Sequence, residues 1–299
     1  MKYILSLNTG FAVNRFTDFE DLATTISNKF KINNLQFTAD LLNPSLPDKI
    51  YFKEAENILK IFKSHNILID STFTGAFTRL NHLAHTNTDI QEYWISWFKK
   101  FVDFTSIVGA ESMGSHLGIL SYKENNNLTL KKNRLQTLIS NWHKVAEYAE
   151  KKGLKFISWE PMSISREFGE TIQECKLIQK SLNKNSPLEF KICYDVDHGD
   201  LMSKNSDDIN PYKWLEEFSS DICYIHLKQS TKNKGGHWPF IDKYNKVGKI
   251  KPKEIIRKLE ELSINVPLIL ELSFKEREPN DSLVIDHVSE SINYWKNFI

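Results

Sequence analysis

Long apolar runs are missing from this 299-residue chain, and so is a cysteine framework. The opening Met1-Lys2-Tyr3-Ile4-Leu5-Ser6-Leu7-Asn8 holds too short an apolar stretch for a secretory leader and reads as a first strand. No later segment reaches the uninterrupted length of a membrane span, so no membrane partner is expected. Three cysteines, Cys175, Cys193 and Cys223, are an odd number without CxxC spacing, which argues against a disulfide scaffold or a zinc knuckle and suits a reducing cytoplasm. Excess charge is lacking too. A formal net charge of +1 gives no global field to gather nucleic acid, so any anionic ligand must be met locally. No GxGxxG follows the first apolar run, which counts against a dinucleotide-binding fold. No Pro/Gly/Ser-rich linker divides the chain, so residues 1–299 are expected to form one domain, a length that barrels of alternating strand and helix commonly reach.

What the chain does have is repetition. Short β-branched and apolar runs recur at Tyr3 to Leu7, Leu35 to Thr38, Ile67 to Phe73, Ser112 to Leu117, Phe156 to Trp159, Phe190 to Tyr194, Cys223 to Leu227 and Leu268 to Leu272. Helical patterns lie between them. Ile90, Trp94, Trp97, Phe101, Phe104 and Val108 draw one apolar stripe, and others run Phe52 to Phe62, Leu135 to Ala149, Ile255 to Leu262 and Val284 to Trp295. Eight alternating units predict an α/β protein whose parallel sheet closes into a (β/α)8 TIM barrel. Asn125-Asn126-Asn127 and Lys204 to Asn210 read as plain polar loops.

Barrel enzymes build their sites at the carboxyl ends of the strands. Here those ends are rich in acids and imidazoles: Gly114-Ser115-His116, Trp159-Glu160-Pro161, Tyr194-Asp195-Val196-Asp197-His198, Ile225-His226-Leu227-Lys228 and Leu270-Glu271-Leu272. A single glutamate in an apolar strand needs only a nearby lysine to explain it. A whole layer of acids needs more, because two carboxylates about 4 Å apart repel by roughly 4 kcal/mol even at an effective dielectric of 20. A divalent cation relieves that. Glu160, an aspartate, His226 and Glu271 form a mostly oxygen set, suited to Mn²⁺ first, then Mg²⁺ or Co²⁺, with Zn²⁺ a further candidate. Alternation puts Asp195 and Asp197 on one face, so spacing leaves the aspartate ligand open.

Other polar residues sort by position. His65 falls at the opposite barrel end and His143 and His287 fall in helices, where packing or surface roles are expected; His82 and His85 follow the third strand, beside a Thr74 to Arg79 stretch suited to a substrate wall. The stretch from Lys228 through Lys234, Gly235-Gly236, His237 and Trp238 has the lysines, hydroxyls and glycines to hold a phosphate after the last strands. Arg277 either reaches the site or pairs with its acidic neighbours.

Trp159-Glu160-Pro161 through Arg166-Glu167, Asp195 to His198, Ile225-His226-Leu227 and Glu271-Leu272-Ser273-Phe274 resemble the xylose-isomerase-like barrel superfamily over nearly the whole chain. The resemblance to its ketose 3-epimerases implies metal ligands Glu160, Asp195, His226 and Glu271, selecting Asp195 over Asp197. It also implies proton transfer by Glu160 and Glu271, and substrate contacts from His198 and Glu167. His116, Lys228, Lys234, His237, Trp238 and Arg277 complete the expected substrate-binding set. Trp-Glu-Pro-Met-Ser, Asp-Val-Asp-His-Gly-Asp and Gly-Gly-His-Trp-Pro-Phe look most like the tetrulose-phosphate epimerases of erythritol breakdown, which implies a sugar-phosphate substrate. The alternatives are an aldose–ketose isomerase using the same metal, a sugar-binding barrel without catalysis, and the superfamily's zinc apurinic-site endonucleases. Against the last, the third strand ends Ser71-Thr72-Phe73-Thr74 without a histidine, and a near-neutral chain lacks the basic footprint of a DNA enzyme. The sequence leaves oligomeric state open, a homo-oligomer included.

Overall fold

Eight short parallel strands close on themselves in the computed structural model, which describes residues 2–231, 234–274 and 281–299, Lys234 through its backbone alone. In chain order the elements are β1 (Leu5–Asn8), α1 (Phe19–Thr24, continued by a π turn Thr25–Phe30), β2 (Asn34–Thr38), α2 (Asp48–Ser64), β3 (Leu68–Phe73), α3 (Thr88–Ile107), β4 (Ser112–His116), α4 (Tyr122–Asn125) and α5 (Leu128–Lys151). There follow β5 (Phe156–Glu160), α6 (Ile172–Asn183), β6 (Phe190–Asp195), α7 (Pro211–Glu217), β7 (Ile222–Leu227), β8 (Gln229–Thr231), β9 (Lys234–Trp238), α8 (Asp242–Asn245), α9 (Pro252–Glu261), β10 (Leu268–Leu270) and α10 (Val284–Lys296). The barrel order is β1-β10-β7-β6-β5-β4-β3-β2, with β8 and β9 a separate hairpin.

Two apolar layers hold this together. The larger lies between strands and helices and includes Trp97, Phe101 and Phe104 from the α3 stripe with Trp142 from α5. The smaller, Phe73, Phe156, Cys193, Cys223, Tyr224 and Ile269, is a separate cluster contributed by strand residues. Gly114 in β4 is part of that fit, because a Cβ there would overlap the Phe73 ring and Ser158 Oγ.

Strand register sets the level of the functional side chains. His116 pairs with Glu160 across β4 and β5, and Asp195 with His226 across β6 and β7. The eighth barrel strand ends at Leu270 rather than the expected Leu272, yet its ladder runs one residue on, Glu271 N donating to Leu227 O at 3.0 Å.

Five helices escape the sequence patterns, among them the single-turn α4 and α8. The Phe19–Phe30 stretch changes its winding midway, α6 runs Ile172–Asn183 behind the Thr171 cap, and α7 has seven residues opened by the Asn210 cap and Pro211. The two loops read as plain polar turns do more than that. Asn125 ends α4 and Asn127 caps α5, while Asp208 is buried, taking Ile172 N and the Ser203 hydroxyl. Gly199, at φ 137°, lets that loop close, since a Cβ would strike Asp208 O.

Candidate metal centre and active site

Glu160 and Asp195 are the last residues of β5 and β6, His226 lies inside β7, and Glu271 follows β10. Each offers one ligand atom, and these atoms lie within 4.8 Å of one another. Asp197 does not join them. The strand has ended by then, so alternation no longer applies. Its carboxylate instead takes the Ser230 hydroxyl, Gly236 N at 3.1 Å and the Lys249 ammonium at 2.8 Å. It ties the β8–β9 hairpin to the barrel.

His226 is held from both sides. Its Nε2 donates to Gln36 Oε1 at 2.7 Å, and Gln36 is fixed in turn by Asn8 Nδ2 at 2.8 Å and Ser71 Oγ at 3.2 Å. With the Nε2 proton committed, Nδ1 faces Glu160 Oε1 at 3.3 Å and Glu271 Oε2 at 3.5 Å, where it can carry a proton shared with the carboxylates or, once that proton is lost, offer its lone pair to a cation. The Phe73 ring meets the imidazole edge-on, centroids 5.2 Å apart. Three carboxylates and one oriented imidazole fit a divalent cation in donor type and number.

Lys228 changes the expected picture. Its side chain is buried, and the ammonium pairs with Asp195, reaches Glu271 at 3.3 Å, and donates to His237 Nε2 at 2.7 Å and His198 Nε2 at 3.4 Å. It sits within the acid cluster instead of in a phosphate loop, because the hairpin starts only at Gln229. Burial would raise the Asp195 carboxyl, but His198 and Lys228 hold it below its ordinary value. Glu271 is likewise pulled well below the usual range, burial being outweighed by His226, Lys228 and His237. For His226, burial is overcome by Glu271 and Glu160, which lift it to about 9.

A cavity of about 590 Å³ opens over the cluster, lined by Glu160, His116, His198, His237 and Glu271 together with Arg15, Asp40, Phe73, Phe77, Arg79 and Phe274. His198 Nδ1 donates to Pro161 O at 2.9 Å, which fixes the ring. His116 is buried, and its Nε2 has no hydrogen-bond partner. Burial, with Arg79 and His82 nearby, lowers its pKa to about 3, so it stays neutral. Glu167 stands behind the wall, ion-paired with Arg79. Phe168 after it has its ring buried and φ 69°, ψ 149°, a strained backbone that fixes the turn.

The remaining expected residues fall elsewhere. Trp238 stacks on Tyr244 at 5.0 Å and is not on the cavity wall; the Lys234 side chain and Arg277 lie outside the described residues. The Thr74 to Arg79 stretch does form wall, folded by Asp40, which accepts from Thr78 Oγ1 at 2.6 Å and Phe77 N at 3.1 Å. His82 and His85 instead pack on each other, and His82 also meets Trp94. His65 pairs with Glu20, His143 with Leu182 O, and His287 stacks on Phe274. Sequence reasoning missed Gln36, Arg15 and Asp40. Gln36, a polar residue in an otherwise apolar run, was the available signal.

Comparison with known proteins extends this geometry. A family model described as xylose isomerase-like TIM barrel matches residues 30–291. A Brucella abortus (strain 2308) protein named D-erythrulose 1-phosphate 3-epimerase is 37% identical over 297 residues, 99% of this chain and 96% of that one. A crystal structure from Rhodospirillum rubrum, of a protein named for xylose isomerase, superposes with a TM-score of 0.90 at 20% identity, covering 99% of both chains. D-psicose 3-epimerase from Clostridium cellulolyticum H10 gives 0.71 at 14% identity, covering 98% of both. Among the described residues no helix is long and apolar enough to cross a membrane.

Proposed function

The chain belongs to the xylose isomerase-like TIM-barrel family and is an enzyme of the isomerase/epimerase kind; from that premise we propose that it inverts carbon three of a small ketose phosphate resembling erythrulose 1-phosphate, through an enediolate. The observation that carries this reading is the approach of two carboxylates, Glu160 from β5 and Glu271 after β10, to one buried point beneath the cavity. One removes the carbon-three proton and the other returns a proton from the opposite face. General acid–base catalysis of this kind contributes typically about 10²–10⁴-fold.

A divalent cation, Mn²⁺ by preference and Mg²⁺, Co²⁺ or Zn²⁺ otherwise, would be held by Glu160, Asp195, His226 and Glu271 and would supply Lewis-acid polarisation of the ketose oxygens. The chain's own groups do the rest. Gln36 sets the His226 tautomer, and His198, braced on Pro161 O, orients a substrate oxygen. His116 and His237 offer further polar contacts from the wall, and Lys228 keeps a positive charge beside Glu271. The buried free thiols of Cys175, Cys193 and Cys223 suit the cytoplasm.

The test is proton exchange. In D₂O the enzyme should wash deuterium into carbon three of erythrulose 1-phosphate, and Glu160→Gln and Glu271→Gln should each abolish that exchange in a folded protein. Full exchange by either variant removes the two-carboxylate mechanism. With a ketose whose carbon-one hydroxyl is free, deuterium appearing at carbon one or two instead would identify an aldose–ketose isomerase.

A further inference from the structure

A phosphorylated substrate needs a cation that is free to meet it, and the expected Lys228 is not. Its ammonium is buried against Asp195 and Glu271 and does not line the cavity. Two guanidinium groups remain on the wall among the described residues, Arg15 and Arg79. Arg15 is engaged as a brace through all three of its nitrogens: Nε gives to Asp281 at 2.8 Å, Nη1 to Phe11 O at 3.2 Å and Val13 O at 3.4 Å, and Nη2 to Phe274 O at 3.4 Å.

Arg79 is different. Nη2 alone is committed, to Glu167, while Nε and Nη1 have no protein partner among the described residues and the side chain keeps 38% of its exposure. Glu167 is itself fixed by the strained turn at Phe168, so the guanidinium is aimed rather than floating. In the same corner His116 brings a buried Nε2 without a partner. That corner lies next to the proton-transfer site, because His116 is the register partner of Glu160. A fixed guanidinium with spare donors, flanked by an unpartnered imidazole nitrogen, matches the acceptor-rich phosphoryl group.

We propose that Arg79, oriented by Glu167 and flanked by His116, anchors the phosphoryl group of the substrate and so sets the preference for phosphorylated over free ketoses. This rests on the ketose-phosphate reading above. Arg79 is a binding residue in this scheme and takes no part in proton transfer.

The experiment compares wild type, Arg79→Met, Arg79→Lys and Lys234→Met on erythrulose 1-phosphate and on free erythrulose, with binding of inorganic phosphate followed by calorimetry. Losing charge-assisted hydrogen bonds to a dianion should raise KM for the phosphorylated ketose about 10- to 100-fold in Arg79→Met and weaken phosphate binding by a similar factor. Turnover of the free ketose should stay within about twofold, and Arg79→Lys should recover part of the loss. Equal losses on both substrates, an unchanged KM, or discrimination that moves with Lys234→Met instead would overturn the assignment. If wild type exchanges no carbon-three proton of any ketose phosphate, the functional reading itself fails. The calorimetric arm needs no turnover, so unaltered phosphate binding by Arg79→Met still counts against Arg79 alone.

Discussion

Replacing Gln36 by leucine should loosen metal binding without touching a ligand. Its carboxamide accepts from His226 Nε2 at 2.7 Å and Asn8 Nδ2 at 2.8 Å and gives to Ser71 Oγ at 3.2 Å, all buried. Leucine is of similar size but leaves three polar groups without partners. At about 1 kcal/mol each, the stability loss should be about 3 kcal/mol. The second effect is more specific. Without an acceptor at Nε2, the His226 proton is free to move to Nδ1, the nitrogen that faces Glu160 and Glu271. Loss of such an outer partner typically weakens metal affinity by about 10- to 100-fold. Gln36→Glu keeps an acceptor for both donors and should retain affinity while restoring most of the stability. Urea unfolding gives the first quantity, and competition for Co²⁺ or Mn²⁺ against a chelator gives the second. A folded Gln36→Leu protein with wild-type affinity would refute the claim that this hydrogen bond sets the tautomer.

Three further outcomes follow from particular contacts. Burial lifts the Asp70 carboxyl from 3.8 to about 6, so the fold disfavours its ionised form; the penalty is absent below about pH 4, grows as pH rises, and is complete above about pH 6. After discounting for partial exposure, Asp70→Asn should gain about 1–2 kcal/mol at pH 8 and nothing below pH 4, measured by urea unfolding at both pH values. Asp197→Ala removes the tie among Ser230, Gly236 and Lys249, so it should cost about 3 kcal/mol and raise KM, because the hairpin it anchors carries His237; an unchanged melting curve would count against that tie. Gly114→Ala forces a methyl against Phe73 and Ser158 and should cost at least about 2 kcal/mol while shifting Phe73 off His226, a change visible in the histidine's NMR resonances.

The barrel and the level of its site could be read from the chain because both depend on short-range patterns. The α3 stripe and the apolar runs each place one residue set on one face, and acids at successive run ends must then share a layer. What stayed hidden depends on contacts between distant residues. Gln36 meets His226 from 190 positions away, and its polarity within the Leu35 to Thr38 run does not tell which residue it meets. Lys228 follows a strand directly and looked like loop chemistry, but the ladder carries it inward to Asp195. The Asp195/Asp197 ambiguity has the same origin: it turns on where β6 stops, and strand ends are set by the neighbouring ladder more than by local composition.

Lys228 also bears on which cation the quartet can hold. Glu160, Asp195 and Glu271 bring three negative charges when ionised, and the buried ammonium cancels one of them. His226 adds none when Nε2 keeps its proton, donating to Gln36 Oε1, and Nδ1 acts as a ligand. A net charge of minus two is thus left to be balanced, which a divalent ion does and a monovalent ion does not. An oxygen-rich donor set with one imidazole suits a hard or borderline divalent ion better than a soft metal. Burial, with Arg79 and His82 nearby, keeps His116 neutral beside Glu160. A protonated His116 would put a charge directly beside Glu160, whereas the neutral imidazole can meet a substrate oxygen without disturbing the charge on the proton carrier.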